Sequence, residues 1–170
     1  MASLEHRLGY TFKNKSLLRE ALTHASSIDR ANAPTYERLE FLGDRVLGLT
    51  IADMLFAHFP NSKEGDLAPR LTALVRGETC ALVSEILKLG DELILGDSEI
   101  QTGGRGKQAI LADACEAVIG AIFIDGGWEK ARAFVATNWQ AFLENPPQIL
   151  RDAKTLLQEW AQSKGYDLPA

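Results

Sequence analysis

The sequence predicts an all-α domain, and three observations carry the prediction. Alternating strand patterns are nearly absent from the 170 residues, and Glu92-Leu93-Ile94-Leu95 is too short to count as one. Two long apolar segments, about Tyr36 to His58 and Gln108 to Ile124, run between clear breakers. The shorter segments around them repeat apolar residues at helical spacing.

Residues 4–26 read as a short helix, a break at Gly9-Tyr10-Thr11-Phe12, and a second helix. Lys15 to His24 places Leu17, Leu18, Ala21 and Leu22 on one face. A polar loop covers 27–35. The long central helix follows, and Phe59-Pro60-Asn61 stops it. Glu64-Gly65-Asp66 reads as a turn with Asp66 as the next N-cap, which puts Pro69 in a first turn where it is tolerated. That helix runs to about Arg76. Another spans Glu78 to Leu89, with Gly90 as its C-cap. Residues 91–106 read as irregular. The second apolar helix ends at Asp125-Gly126-Gly127, and a helix from Trp128 to Leu143 follows. Asn145-Pro146-Pro147 reads as a linker, and Asp152 to Lys164 as one more amphipathic helix.

Hydrophobic residues make up 46% of the chain, as in an ordinary globular protein. No run reaches transmembrane length, and the first residues lack the apolar core of a signal peptide, so no membrane role is expected. Cys80 and Cys115 have no CxxC or Cys/His spacing and read as small buried thiols in a reducing cytoplasm. His6, His24 and His58 show no ligand pattern, which argues against zinc. The net charge of −5 alone argues against nucleic-acid binding. It is compatible with an enzyme whose acidic site is filled by divalent cations, so charge does not settle the partner.

The central helix opens with Glu37-Arg38-Leu39-Glu40-Phe41-Leu42-Gly43-Asp44. At ~100° per residue its three carboxylates fall within about 60° of arc. Leu39, Leu42, Val46 and Leu49 cluster on the opposite side. A solvated acidic face is the plain alternative. Phe41 lies among the carboxylates, where such a face would prefer Lys or Arg, and no charge follows from Val46 to Ala52. A helix that apolar is mostly buried. Asp113 and Glu116 repeat the three-residue spacing on the second apolar helix. One such pair is a weak signal. Two pairs on two core helices are stronger, because packing can bring Glu40, Asp44, Asp113 and Glu116 together. Oxygen ligands without His or Cys suit Mg²⁺ or Mn²⁺, and paired cations of that kind serve phosphoryl transfer. Gly103-Gly104-Arg105-Gly106-Lys107 reads equally as a solvated connector or a phosphate contact.

The run Glu37 to Asp44 resembles the signature of the ribonuclease III endonuclease domain. The likeness extends to Leu8-Gly9-Tyr10-Thr11-Phe12, Ala21-Leu22-Thr23-His24, Glu64-Gly65-Asp66, Leu74-Val75 and Ile110 to Gly120, and covers roughly residues 4–144. Asp152 to Trp160 is similar to the first helix of a double-stranded-RNA-binding domain. The resemblance implies an endonuclease domain over 1–145, a linker over 146–151, and the start of the second domain over 152–170. One helix cannot bury a core alone, so the chain reads as a shortened form or fragment of a longer protein.

The resemblance further implies a cytoplasmic, all-α homodimer that cleaves double-stranded RNA with Mg²⁺, with Mn²⁺ as a substitute and no small-molecule cofactor. Products would carry 5′-phosphate and 3′-hydroxyl ends with short 3′ overhangs, in RNA maturation such as that of ribosomal RNA precursors. Matched by position, Glu40, Asp44, Asp113 and Glu116 would be the catalytic metal ligands. Glu37 and Glu64 match further acidic positions, Glu64 reaching the site of the other subunit. Phe41 would be the aromatic knob of the dimer contact. Gln158 and Gln162 would be RNA contacts, and Arg105 and Lys107 stand as candidate RNA contacts on the phosphate-contact reading of their loop. Ala68-Pro69-Arg70-Leu71-Thr72 departs from the family's Ser- and Arg-containing run. Two other classes compete. A non-catalytic RNA-binding relative would be expected to have lost acidic positions, and all four are present. All-α nucleotide phosphohydrolases commonly use His-Asp clusters, which this sequence lacks.

Overall fold

The structure, a computed structural model, describes residues 2–27, 34–143 and 145. The linker and final helix expected over 146–170, with Gln158 and Gln162, lie outside the described residues.

The all-α expectation holds. Among the described residues, eight α-helices follow in order: α1 (Ala2–Leu8), α2 (Lys15–Ala21), α3 (Glu37–His58), α4 (Glu64–Val75), α5 (Gly77–Leu87), α6 (Asp97–Gln101), α7 (Gln108–Gly126) and α8 (Trp128–Trp139). Among the described residues the sole β feature is one parallel bridge, Thr23 with Ile94. No described helix is long and apolar enough to cross a membrane.

The centre of the molecule is α7. From Ile110 to Ile122 every residue except Asp113 and Glu116 is buried. A helix apolar all round must be surrounded, and α2, α3, α5 and α8 pack on it. Short polar ties fix this packing. Ser84 Oγ donates to the Leu111 carbonyl at 2.5 Å, joining α5 to α7. The indole N–H of the fully buried Trp139 donates to the Leu74 carbonyl at 2.8 Å, tying α8 to the end of α4. Asp125, at the end of α7, accepts from the Tyr10 hydroxyl and from the Lys13 and Asn14 N–H groups at 2.8–2.9 Å. This fastens the first turn to the core.

Several boundaries differ from expectation. The N-cap of α4 is Lys63, not Asp66. Asp66 stands in the first turn and accepts from the Lys63 N–H at 3.3 Å. Pro69 is therefore the sixth helical residue, and the Gly65 carbonyl loses its usual donor. Gly65 is exposed, so water can serve that carbonyl. The α5 helix ends at Leu87, and Lys88 takes the left-handed conformation with φ 54°. Gly90 is needed for another reason: a Cβ there would lie 2.4 Å from the Arg105 carbonyl oxygen. The stretch expected to be irregular holds α6 and two 3-10 turns, Leu89–Glu92 and Gly104–Gly106. Helix α8 ends at Trp139, and a 3-10 turn, Gln140–Phe142, follows. On α3, Leu39 and Val46 are buried as expected, but Leu49 is exposed.

Candidate active site

Helices α3 and α7 cross at two glycines. A Cβ on Gly43 would lie 1.7 Å from the Glu116 carbonyl oxygen, and one on Gly120 would lie 2.2 Å from that of Leu39. Only glycine allows backbones to approach this closely. The crossing sets the carboxylates. Glu40 and Asp44 flank Gly43 on α3. Glu116 abuts Gly43 from α7, and Asp113 lies one turn before it. The two acidic pairs of the sequence thus meet beside one helix contact.

Their electrostatics reflect that meeting. Glu116 is pushed up to about 7 from an ordinary 4.5, mainly by burial and then by the charge of Glu40, with a smaller push from Asp113. Burial, Asp113 and Glu37 raise Glu40. Burial also raises Asp113, opposed by a hydrogen bond from Tyr36 and by His24. Acidic groups that share a half-buried site and disfavour one another's charge favour a bound cation. Among the described residues, the cation that acts on Glu116 is Arg45, whose guanidinium pairs with Asp44 and lies 5.0 Å from the centre of the Phe41 ring. The Cys80 thiol lies 3.7 Å from Glu116 Oε1. Cys80 and Cys115 are both buried and free, as their spacing suggested.

The donor set fits a hard divalent cation: carboxylate oxygens only, with too little positive charge to balance them. Among the described residues, however, no three such side chains already converge into a metal cage. An entering cation would have to draw the carboxylates inward.

The other expected residues are placed as follows. Glu37 begins α3 and its carboxylate accepts from the Thr35 hydroxyl at 3.1 Å. Glu64 begins α4, away from these carboxylates, and lines an apolar groove with Phe56, Phe59 and Leu67. Phe41 is 66% exposed and is not a core residue. Arg105 donates to the Gly90 and Asp91 carbonyls, and Lys107 to Glu99 and Thr102. Both are engaged within the chain, in a segment more ordered than a flexible loop. Sequence reasoning passed over Tyr36, whose hydroxyl donates to Asp113 Oδ2 at 3.3 Å. Its only signal was a bulky aromatic directly before the acidic run.

Comparison with known proteins agrees. The Ribonuclease-III-like family profile matches residues 14–141. The chain is 49% identical to ribonuclease 3 of Nitrobacter winogradskyi, over 99% of this chain and 64% of that protein. It is 50% identical to ribonuclease 3 of Azorhizobium caulinodans, over 99% of this chain and 72% of that protein. It thus spans about two thirds of these relatives. A solved nuclease domain of ribonuclease III from Campylobacter jejuni, in which the region involved in dimer formation is flexible, superposes with a TM-score of 0.77. The identity there is 40%, over 86% of this chain and 98% of that one. The chain therefore belongs to the ribonuclease III family of enzymes, and its described residues form that family's nuclease domain.

Proposed function

We propose that the chain is a Mg²⁺-dependent endoribonuclease that hydrolyses double-stranded RNA as a homodimer, with Mn²⁺ able to substitute. The observation that supports this reading is the pair of glycines at the α3–α7 crossing, beside which Glu40, Asp113 and Glu116 disfavour one another's charge, with Asp44 next to Gly43 on α3. These four residues would hold the cations, and Glu37 would add negative charge at the rim. Bound there, divalent cations would supply Lewis-acid stabilisation for phosphodiester hydrolysis.

The chain's own residues have three tasks. Glu116, partly protonated near neutral pH, must release its proton to become a ligand. Burial excludes water and strengthens each remaining charge interaction. Arg45 restrains the Asp44 carboxylate from outside the acidic cluster. Products with 5′-phosphate and 3′-hydroxyl ends and short 3′ overhangs follow from the family likeness, as does a role in maturing precursors such as ribosomal RNA. Free buried thiols are consistent with a cytoplasmic setting. Residues 152–170 would begin a double-stranded-RNA-binding domain after a linker over 146–151, with Gln158 and Gln162 facing RNA. In this reading Arg105 and Lys107 must exchange internal partners for phosphate to serve as contacts.

The dimer reading rests on α3. Phe41, Leu49 and Phe56 are all exposed, and at ~100° per residue they share about 80° of the helix surface. They stand about two turns apart on this strip, with the exposed Arg45 between Phe41 and Leu49, and large apolar side chains exposed along one strip are a feature of interaction surfaces. An antiparallel second copy of α3, with its two-fold axis near Leu49, would bring Phe41 of each copy to Phe56 of the other. There it meets the groove between α3 and α4, about 490 Å³ in volume. Glu64 lines that groove, so this seating carries it toward the acidic site of the other copy.

The test is cleavage of a perfect RNA duplex with and without Mg²⁺, beside single-stranded RNA and a DNA duplex. Mg²⁺-dependent cutting of the RNA duplex alone is expected. No cutting in saturating Mg²⁺, or equal cutting of DNA, overturns the reading.

A further inference from the structure

Tyr36 is only 3% exposed. A buried phenol needs a partner for its hydroxyl, and Tyr36 has one in Asp113 Oδ2, 3.3 Å away. The residue is held on its other sides as well. Its N–H donates to the Thr23 carbonyl at 2.9 Å, and its own carbonyl accepts from the Glu40 N–H at 2.8 Å. Its ring meets the His24 ring edge to face, with centroids 5.6 Å apart. Thr23 is itself fixed by the parallel bridge to Ile94. The hydroxyl is therefore presented to Asp113 by a braced ring rather than a free side chain.

The choice of donor matters. A Lys or Arg at this place would neutralise Asp113 and compete with a cation. A phenol restrains the carboxylate and leaves its charge intact. Partners outside the coordination sphere that orient a metal-binding carboxylate affect metal affinity strongly.

Resting on the reading of Asp113 as a cation ligand, we propose that Tyr36 is a positioning residue whose hydroxyl holds the Asp113 carboxylate in the orientation that meets the cation. A buried tyrosine that merely fills space would behave differently, and the 170-residue chain can tell the two apart. Tyr36→Phe, Asp113→Asn and the double variant are melted without metal, then titrated with Mg²⁺ alone by following the melting temperature. They are then assayed for Mg²⁺-dependent cleavage of an RNA duplex. For Tyr36→Phe, the Mg²⁺ midpoint should rise about 10-fold in both titrations, while turnover at saturating Mg²⁺ stays within ~3-fold of wild type. The double variant should match Asp113→Asn in its Mg²⁺ response, since the hydroxyl acts through that carboxylate. The wild-type protein gives a readout that needs no substitution at Tyr36: its ¹³Cζ resonance should shift on Mg²⁺ addition with the thermal midpoint, and should not shift in Asp113→Asn. A lowered metal-free melting temperature with a wild-type Mg²⁺ midpoint overturns the proposal, as does a ¹³Cζ signal that ignores Mg²⁺. If Asp113→Asn alone weakens the Mg²⁺ response, Tyr36 is rejected and the site reading stands. If Asp113→Asn also responds normally, both fall.

Discussion

Replacing Glu116 by Gln separates the charge of this residue from its shape. In the folded protein its carboxyl is raised to about 7 from 4.5. Its protonated form favours folding. That contribution is fully present below pH 4.5 and is lost as pH rises through about 7. Above pH 8 the unprotonated carboxylate opposes folding by at most ~3 kcal/mol, and by roughly 2 kcal/mol once partial solvent screening is allowed for. A neutral amide removes that opposition. Metal-free Glu116→Gln should therefore melt about 4–8 °C above wild type at pH 8. At pH 5, where the wild-type carboxyl is mostly protonated, the two should nearly coincide. Mg²⁺ should raise the wild-type melting temperature and barely move that of the variant. Duplex cleavage should fall at least ~100-fold, since even supporting groups around a metal site cost 10–100-fold. Thermal denaturation at the two pH values, with and without Mg²⁺, checks all of this. A variant that melts below wild type at pH 8, or shows the same difference at both pH values, would refute the argument from shared charge.

Three further outcomes follow. Gly43→Ala sets a methyl 1.7 Å from the Glu116 carbonyl oxygen. It should cost at least ~3 kcal/mol, whereas Gly65→Ala, in open space on α4, should change stability by less than ~1 kcal/mol; equal melting temperatures for the two would reject the close crossing. Phe41→Ala should weaken association by ~3–5 kcal/mol and yield monomer at micromolar concentration in sedimentation, and an unchanged dimer removes Phe41 from the interface. A chain of net charge −5 should cleave at low ionic strength and lose activity near physiological salt, because phosphate affinity comes from displaced counterions. Appending a double-stranded-RNA-binding domain after Ala170 should restore activity in the same salt titration, and coincident curves would show that the nuclease domain alone supplies the grip.

The parts legible in the sequence were those written in composition. Helices α3 and α7 were found to within two residues because long apolar runs between breakers have few other readings. The acidic pairs were visible because helical spacing is a local property. What failed was tertiary. Asp66 looks like a cap from its neighbours, but Lys63 begins the helix. Gly90 looks like a C-cap, but its small size answers to the Arg105 backbone, and Lys88 takes the left-handed turn. Leu49 carries an apolar label that says nothing about which side of α3 is covered. Gly43 and Gly120 read as minor helix weakeners until the facing backbone is known. Tyr36 could not be assigned, because its partner stands 77 positions away in the chain.

The glycine crossing also limits how the acidic site can respond. With no side-chain layer between α3 and α7, the backbones rest on each other like stacked rulers. They cannot come closer, and sliding would drive Leu39 or Glu116 carbonyl oxygens into the opposite main chain. Any adjustment of the carboxylates must then come from rotation about side-chain bonds. The distance between the two halves of the site is a property of the scaffold, fixed before any ion or nucleic acid arrives. The same two glycines make the site intolerant of drift. A change elsewhere in the core that tilts either helix by a few degrees has no soft layer in which to dissipate, and passes directly into the spacing of the four acids.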